Sequence, residues 1–180
     1  MFSSYFRLGF EHIVPLGADH VLFVAGLFLS AAAFRPLVWQ VSAFTVAHAL
    51  TLALATLGVV HVAPGVVEPL IALSIAAIAI ENLLARGFHW RRPLIAFVFG
   101  LLHGLGFAGA LQSLGLPDED LVVALVAFNL GVEAGQLTVI AALVAALGWC
   151  RQARWYRARV VVPLSVAIAA VGLYWAVQRL

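Results

Sequence analysis

The chain has 180 residues, 64% of them hydrophobic and only 10% charged. A water-soluble domain carries about 25% charged residues, so a soluble globule is excluded. The net charge of +2 comes from ten arginines and no lysine against eight acids; these arginines lie in short segments between apolar runs, which excludes a basic nucleic-acid patch. The one cysteine, Cys150, can form neither an internal disulfide nor a thiolate metal site.

The apolar runs are long and continuous rather than alternating, so they predict helices and not the strands of a membrane barrel. About 20 residues are needed to cross a ~30 Å hydrocarbon core. On that basis the chain is a single all-α transmembrane domain, 1–180, with six spans at about 12–34, 38–60, 66–85, 93–114, 121–148 and 160–178. A short amphipathic lead-in precedes the first, with Phe2, Tyr5, Phe6 and Phe10 against Arg7 and Glu11. No basic, apolar and small-residue leader pattern opens the chain, so insertion falls to the first helix or to a leader outside this sequence. Arg35-Pro36, Ala63-Pro64-Gly65, Arg91-Arg92-Pro93, the stretch 115–120 and the basic stretch 151–159 punctuate the runs.

Eight arginines fall after spans one, three and five: Arg35, then Arg86, Arg91 and Arg92, then Arg151, Arg154, Arg157 and Arg159. The other side holds Arg7, Arg179 and the acids Asp118, Glu119 and Asp120. The positive-inside rule then predicts both termini on the non-cytoplasmic side. Trp39, Trp90, Trp149 and Trp155 stand at cytoplasmic span ends, as an aromatic belt requires. The segments 44–48 and 128–133 share a faint pattern that would fit a weak 3+3 repeat of inverted topology.

An ionised side chain at the centre of a membrane helix costs roughly 2.5–3.5 kcal/mol. The spans nevertheless carry Asp19, Glu68, Glu81 and Glu133 with His12, His20, His48 and His103. In span one His12 and Asp19 are nearly two turns apart and share a face, with His20 ~100° further round; Pro15 and Gly17 between them mark a point where the helix can kink or open. In span two His48 lies between Thr45 and Thr51, near mid-membrane. In span four His103 sits at a similar depth, among glycines whose 100/104 spacing lets helices approach closely. In span five Asn129, Glu133 and Gln136 form one polar stripe, which belongs against protein rather than lipid. Each has a bland reading as an interhelical hydrogen bond or packing feature. Glu68 and Glu81 are about 20 Å apart along span three and cannot share one coordination shell. Glu68 suits an entrance and Glu81 the inner surface. Imidazoles and carboxylates together suit Ni²⁺, Co²⁺, Zn²⁺ or Fe²⁺.

Five segments taken in order carry a resemblance: His12-Ile-Val-Pro-Leu-Gly-Ala-Asp19-His20, Phe44-Thr-Val-Ala-His48-Ala-Leu-Thr51, Val67-Glu68-Pro, Phe99-Gly-Leu-Leu-His103-Gly-Leu-Gly-Phe107 and Phe128-Asn129-Leu-Gly-Val-Glu133-Ala-Gly-Gln136. As a set they resemble the HupE/UreJ membrane proteins, accessory proteins of hydrogenase and urease systems regarded as nickel permeases. The resemblance implies metal-linked roles for His12, Asp19, His20, His48, His103 and Glu133, with Glu68, Asn129 and Gln136 as secondary or entrance residues. It implies Ni²⁺ or Co²⁺ as cargo.

The expected protein is therefore a multi-pass permease of a bacterial inner (plasma) membrane. Its partners are a metal ion and the bilayer, with no nucleic acid; a homo-oligomer or an accessory subunit is left open. The alternative is an intramembrane zinc-dependent hydrolase, in which three histidines and a carboxylate would hold Zn²⁺ with one position open for water. A third reading is a membrane subunit that binds haem through His48 and His103.

Overall fold

The computed structural model describes residues 1–31, 33–84, 91–113 and 121–180, apart from the side chains at 30 and 108–113. All regular elements among them are helical. They are α1 (Phe2–Ile13), α2 (Ala18–Ser30), α3 (Phe34–Thr56), α4 (Pro64–Leu84), α5 (Arg92–Ser113), α6 (Leu121–Leu147) and α7 (Val162–Gln178). A 3-10 turn, Gly148–Cys150, continues α6, and a π-helical turn, Arg157–Val161, leads into α7. Four of these units are long and apolar enough to cross a membrane: α3, α4, α6 with its terminal turn, and α7 with its leading turn. The pair α1 and α2, bent by 67° at the break, adds a fifth if it is counted as one broken span. Helix α5 has 22 residues, and its part described with side chains, Arg92–Phe107, is apolar. The expected loop residues Arg86, His89, Trp90, Asp118, Glu119 and Asp120 lie outside the described residues.

The first expected span is two helices. Pro15 has no amide hydrogen and its ring would collide with the carbonyl one turn back, so α1 ends at Ile13 and Val14 is extended. The chain reverses closely enough that a side chain on Gly17 would overlap the His12 carbonyl. Helix α2 then starts with Asp19 in its first turn, where the helix dipole favours negative charge. His12 and Asp19, expected on one helix face, thus stand on opposite sides of a corner. Nor is α1 a mere surface lead-in: it lies along α6. A side chain at Gly131 would overlap the backbone of Phe6 and Phe10, and one at Gly135 would meet the Ile13 side chain.

Two further helix pairs complete the bundle, α3 with α5 and α4 with α7. Gly100 packs on the Phe44 carbonyl and Gly104 on the His48 carbonyl and Thr51 hydroxyl. Gly172 approaches the backbone of Ala72 and Ala76. With no shared hydrophobic drive between helices in lipid, such close approaches supply much of the association energy. Phe23, Leu27, Phe28, Phe44, Ile75 and Ile78 fill the centre with almost no exposure. Outward-facing Val46, Leu50, Leu94, Val126, Leu173 and Val177 are exposed, as an apolar surrounding requires.

Arginines gather at the end of the bundle where α2 and α4 finish. Arg151 donates to the carbonyls of Phe28 and Ala31 and lies over the Phe28 ring. Arg157 donates to the carbonyls of Asn82 and Leu83 at 3.3 and 3.2 Å. These carbonyls stand at helix C-termini, where cations are favoured. Arg92, fully buried, donates to Asn82 Oδ1 at 2.8 Å and pairs with Glu81 at 3.4 Å. Glu81 therefore has an ionic partner at this end of the bundle.

Gly104→Leu is expected to push α3 and α5 apart and lower stability by about 1–3 kcal/mol. Gly65→Ala, whose added methyl meets open space, is expected to cost nothing. Thermal melting of the detergent-purified protein compares the two; equal melting points would contradict the packing described.

Candidate metal-binding site

The corner between α1 and α2 brings His12, in the last turn of α1, against His20, in the first turn of α2, with ring centroids 4.7 Å apart. His48 from the middle of α3 joins them, 5.8 Å from His20 and 6.1 Å from His12. One nitrogen from each of these three rings lies within 4.8 Å of the others. His103 from α5 stands 4.8 Å from His20, centroid to centroid. The Gly100 and Gly104 contacts explain its reach, since they let α5 settle onto α3 at the level of His48.

The hydrogen bonds fix which nitrogen is free. Asn129 Nδ2 donates to the Leu125 carbonyl at 2.8 Å, so its Oδ1 is the acceptor offered to His48. His48 Nδ1 lies 3.2 Å from it and carries the hydrogen. His103 Nδ1 likewise lies 2.9 Å from the Phe99 carbonyl and donates to it. The Nε2 atoms of both rings are left as lone-pair donors. Orienting a metal-binding imidazole by a hydrogen bond at its other nitrogen is a general feature of metal sites. Nε2 of His12, His20, His48 and His103 are all buried and without a hydrogen-bond partner. Buried polar atoms are otherwise nearly always satisfied, so four such nitrogens from four helices, with three of the rings close enough to share one ion, suit a bound cation.

The walls are aromatic. Phe107 lies 4.1 Å from the His12 ring and 5.0 Å from Phe128, which flanks His12 and His48. Phe44 and Phe23 flank His103 at 4.9 and 5.5 Å. On the other side the cluster opens into a cavity of about 370 Å³, lined by His12, His20 and His103 with Asp19, Glu68 and Arg179. Ligand nitrogens at ~2.0–2.1 Å around a tetrahedral ion stand about 3.4 Å apart. Binding through all three clustered rings then calls for closure of at most about 1.4 Å.

The remaining expected residues divide between two places. Asp19 lines the cavity, yet both its oxygens are held by Arg179 at 3.0 and 3.1 Å. Glu68 lines the same cavity and is exposed. Glu133 is not brought to the histidines. It accepts from Ser42 at 2.8 Å and from Thr45, and Thr45 also lies 2.9 Å from Gln136. Ser42, Thr45, Asn129 and Glu133 line a separate, mainly apolar groove of about 620 Å³ between α3 and α6. Asn129 touches both places, through His48 and through this groove. Sequence reasoning missed Arg179, Trp175 and Phe107 in the cavity lining. Arg179 had a signal: it and Arg7 alone lie apart from the other eight arginines.

Such a bundle, with imidazoles converging inside apolar helices, is a helical membrane protein with a buried, metal-competent site. The chain belongs to the HupE / UreJ protein family, whose model matches residues 1–179. That family is associated with the handling of nickel and cobalt. No curated protein and no solved structure matches the chain.

Removing a partner of the ring behind the ligand typically weakens metal affinity 10–100-fold. Asn129→Leu is expected to do so for Ni²⁺ bound by the purified protein, with the melting temperature little changed. Calorimetric titration against the parent checks it, and unchanged affinity would detach His48 from the site.

Proposed function

We propose that the protein is a permease for a divalent transition-metal ion, nickel or cobalt, and that His12, His20, His48 and His103 are the ligands the ion meets at membrane depth. The carrying observation is the set of four buried Nε2 atoms with no hydrogen-bond partner, three of whose rings, His12, His20 and His103, line a cavity rimmed by Asp19 and Glu68. Neutral imidazole nitrogen suits these borderline ions, and the described residues hold no thiolate cluster that would favour Cu(I).

Glu68 serves as the outer attraction for the cation. Glu133, with Ser42, Thr45 and Gln136, forms the next polar station beyond Asn129, toward the groove between α3 and α6. The chain crosses an inner (plasma) membrane six times, with the bent pair α1–α2 as the first span and α5 as the fourth. Both termini face out. Support for this orientation comes from the clustering of Arg92, Arg151 and Arg157 at one end of the bundle, opposite in kind to the Asp19 and Glu68 rim.

A second reading keeps the same ligands. Three imidazoles beside an open cavity also suit a catalytic zinc with a free position for water, giving an intramembrane hydrolase. A zinc ion that survives purification and dialysis favours that reading; an ion that exchanges freely favours transport.

The decisive measurement is Ni²⁺ and Co²⁺ uptake into proteoliposomes. His20→Ala and His103→Ala are each expected to reduce uptake at least tenfold, and variants that carry both ions like the parent would overturn the proposal. Protonated imidazole cannot ligate a metal, so uptake is expected to fall as the medium is made acid and to recover on return to neutral pH.

A further inference from the structure

Asp19 is the one carboxylate that sits next to the histidine cluster in sequence and lines its cavity. As it stands both of its oxygens are engaged. Arg179, which follows α7, places Nη1 on Oδ2 at 3.0 Å and Nη2 on Oδ1 at 3.1 Å, a two-pronged ion pair. Both side chains are 25% exposed, so the pair lies at the rim of the cavity rather than in its floor. The guanidinium also rests over the Trp175 ring, 5.2 Å from its centre, and Trp175 and Arg179 both line the cavity.

We propose that Arg179 is a built-in competitor of the cargo: its guanidinium occupies the Asp19 carboxylate in the empty protein, and an entering divalent ion has to displace it. The inference rests on the reading of the cavity as the entrance of a metal path. A forked guanidinium takes the inner lone pair of each carboxylate oxygen, the pair that a chelating metal ion would use. It also sets a fixed positive charge beside the opening, where Glu68 and Asp19 would otherwise leave two uncompensated negative charges. Trp175, over whose ring the guanidinium already lies, would keep a favourable cation contact for it once the carboxylate is released. The ion pair is only partly buried, so its strength is modest, weak enough to exchange against a doubly charged ion and strong enough to hold the rim closed to weaker competitors. Arg179 on this account is a gatekeeping residue that acts through Asp19, and it touches no metal.

The test uses the full chain in lipid nanodiscs, titrated with Ni²⁺ alone, and proteoliposomes for uptake. Arg179→Gln is expected to lower the half-saturating Ni²⁺ concentration about fivefold, with maximal uptake little changed. Arg179→Lys keeps the charge without the fork and should fall between parent and Gln. In the Asp19→Asn background the Arg179→Gln change should have no further effect, because the contested carboxylate is gone. Equal or weaker Ni²⁺ binding in both Arg179 variants, with melting temperatures matching the parent, would overturn the proposal. So would a fivefold gain that persists without Asp19. His20→Ala in the same titration separates the two claims: if it loses Ni²⁺ while Arg179→Gln behaves as the parent, the competitor idea fails and the metal path stands. If His20→Ala binds as the parent does, the metal path itself fails.

Discussion

Backbone-to-backbone contact at glycine is the constraint on which this molecule depends. Gly100 and Gly104 remove the side chains that would otherwise hold α5 away from α3. Only at that distance can His103 reach the space shared by His20 and His48. Gly131 and Gly135 do the same for α1 on α6, which carries His12 into the centre and sets Asn129 behind His48. In a bilayer, where apolar surface is no incentive for helices to meet, such contacts and interhelical hydrogen bonds replace the hydrophobic effect as the organising force. The site is therefore a by-product of packing: the same small residues that hold the bundle together determine which imidazoles become neighbours.

The distribution of polar groups follows a consistent electrical logic. Uncharged imidazole can be enclosed by Phe23, Phe44, Phe107 and Phe128 at tolerable cost, whereas an unpaired carboxylate cannot. The acids are accordingly found with partners or at the rim. Asp19 has Arg179, Glu81 has Arg92, Glu133 has two hydroxyls, and Glu68 reaches open space. Arg151 and Arg157 end at helix C-termini, where carbonyls supply negative potential, and the fully buried Arg92 is met by the side chains of Asn82 and Glu81.

How much of this could be read in the chain depended on the range of the interaction. Helical class and the apolar character of α3, α4, α6 and α7 follow from local composition, and the glycine spacings announced close packing. The polar stripe of α6 was visible as a period, and the histidines stood out because a membrane helix has little use for them otherwise. The corner at Pro15 and Gly17 was visible as a weak point but not as a bend that changes partners; periodicity extrapolates a helix straight through, which is why His12 and Asp19 had seemed to share a face. The fate of the carboxylates was not legible. Asp19 and Arg179 are 160 residues apart, and Glu133 meets Ser42 across 91. Nothing in local spacing says that a conspicuous acid will be spent on an arginine or a hydroxyl instead of a metal.

The 67° corner has one more consequence. Two ligands on a continuous helix are separated by a distance that the helical pitch dictates, and no sequence change short of unwinding can tune it. His12 and His20 sit on different rigid bodies joined by four residues, Val14 to Gly17. Their separation works like the bite of a two-armed chelate whose hinge is the corner itself. In the proposed site the ionic radius best accommodated is thus a property of a short connecting segment that contributes no ligand, and substitutions there could retune the choice of metal while leaving every coordinating residue in place.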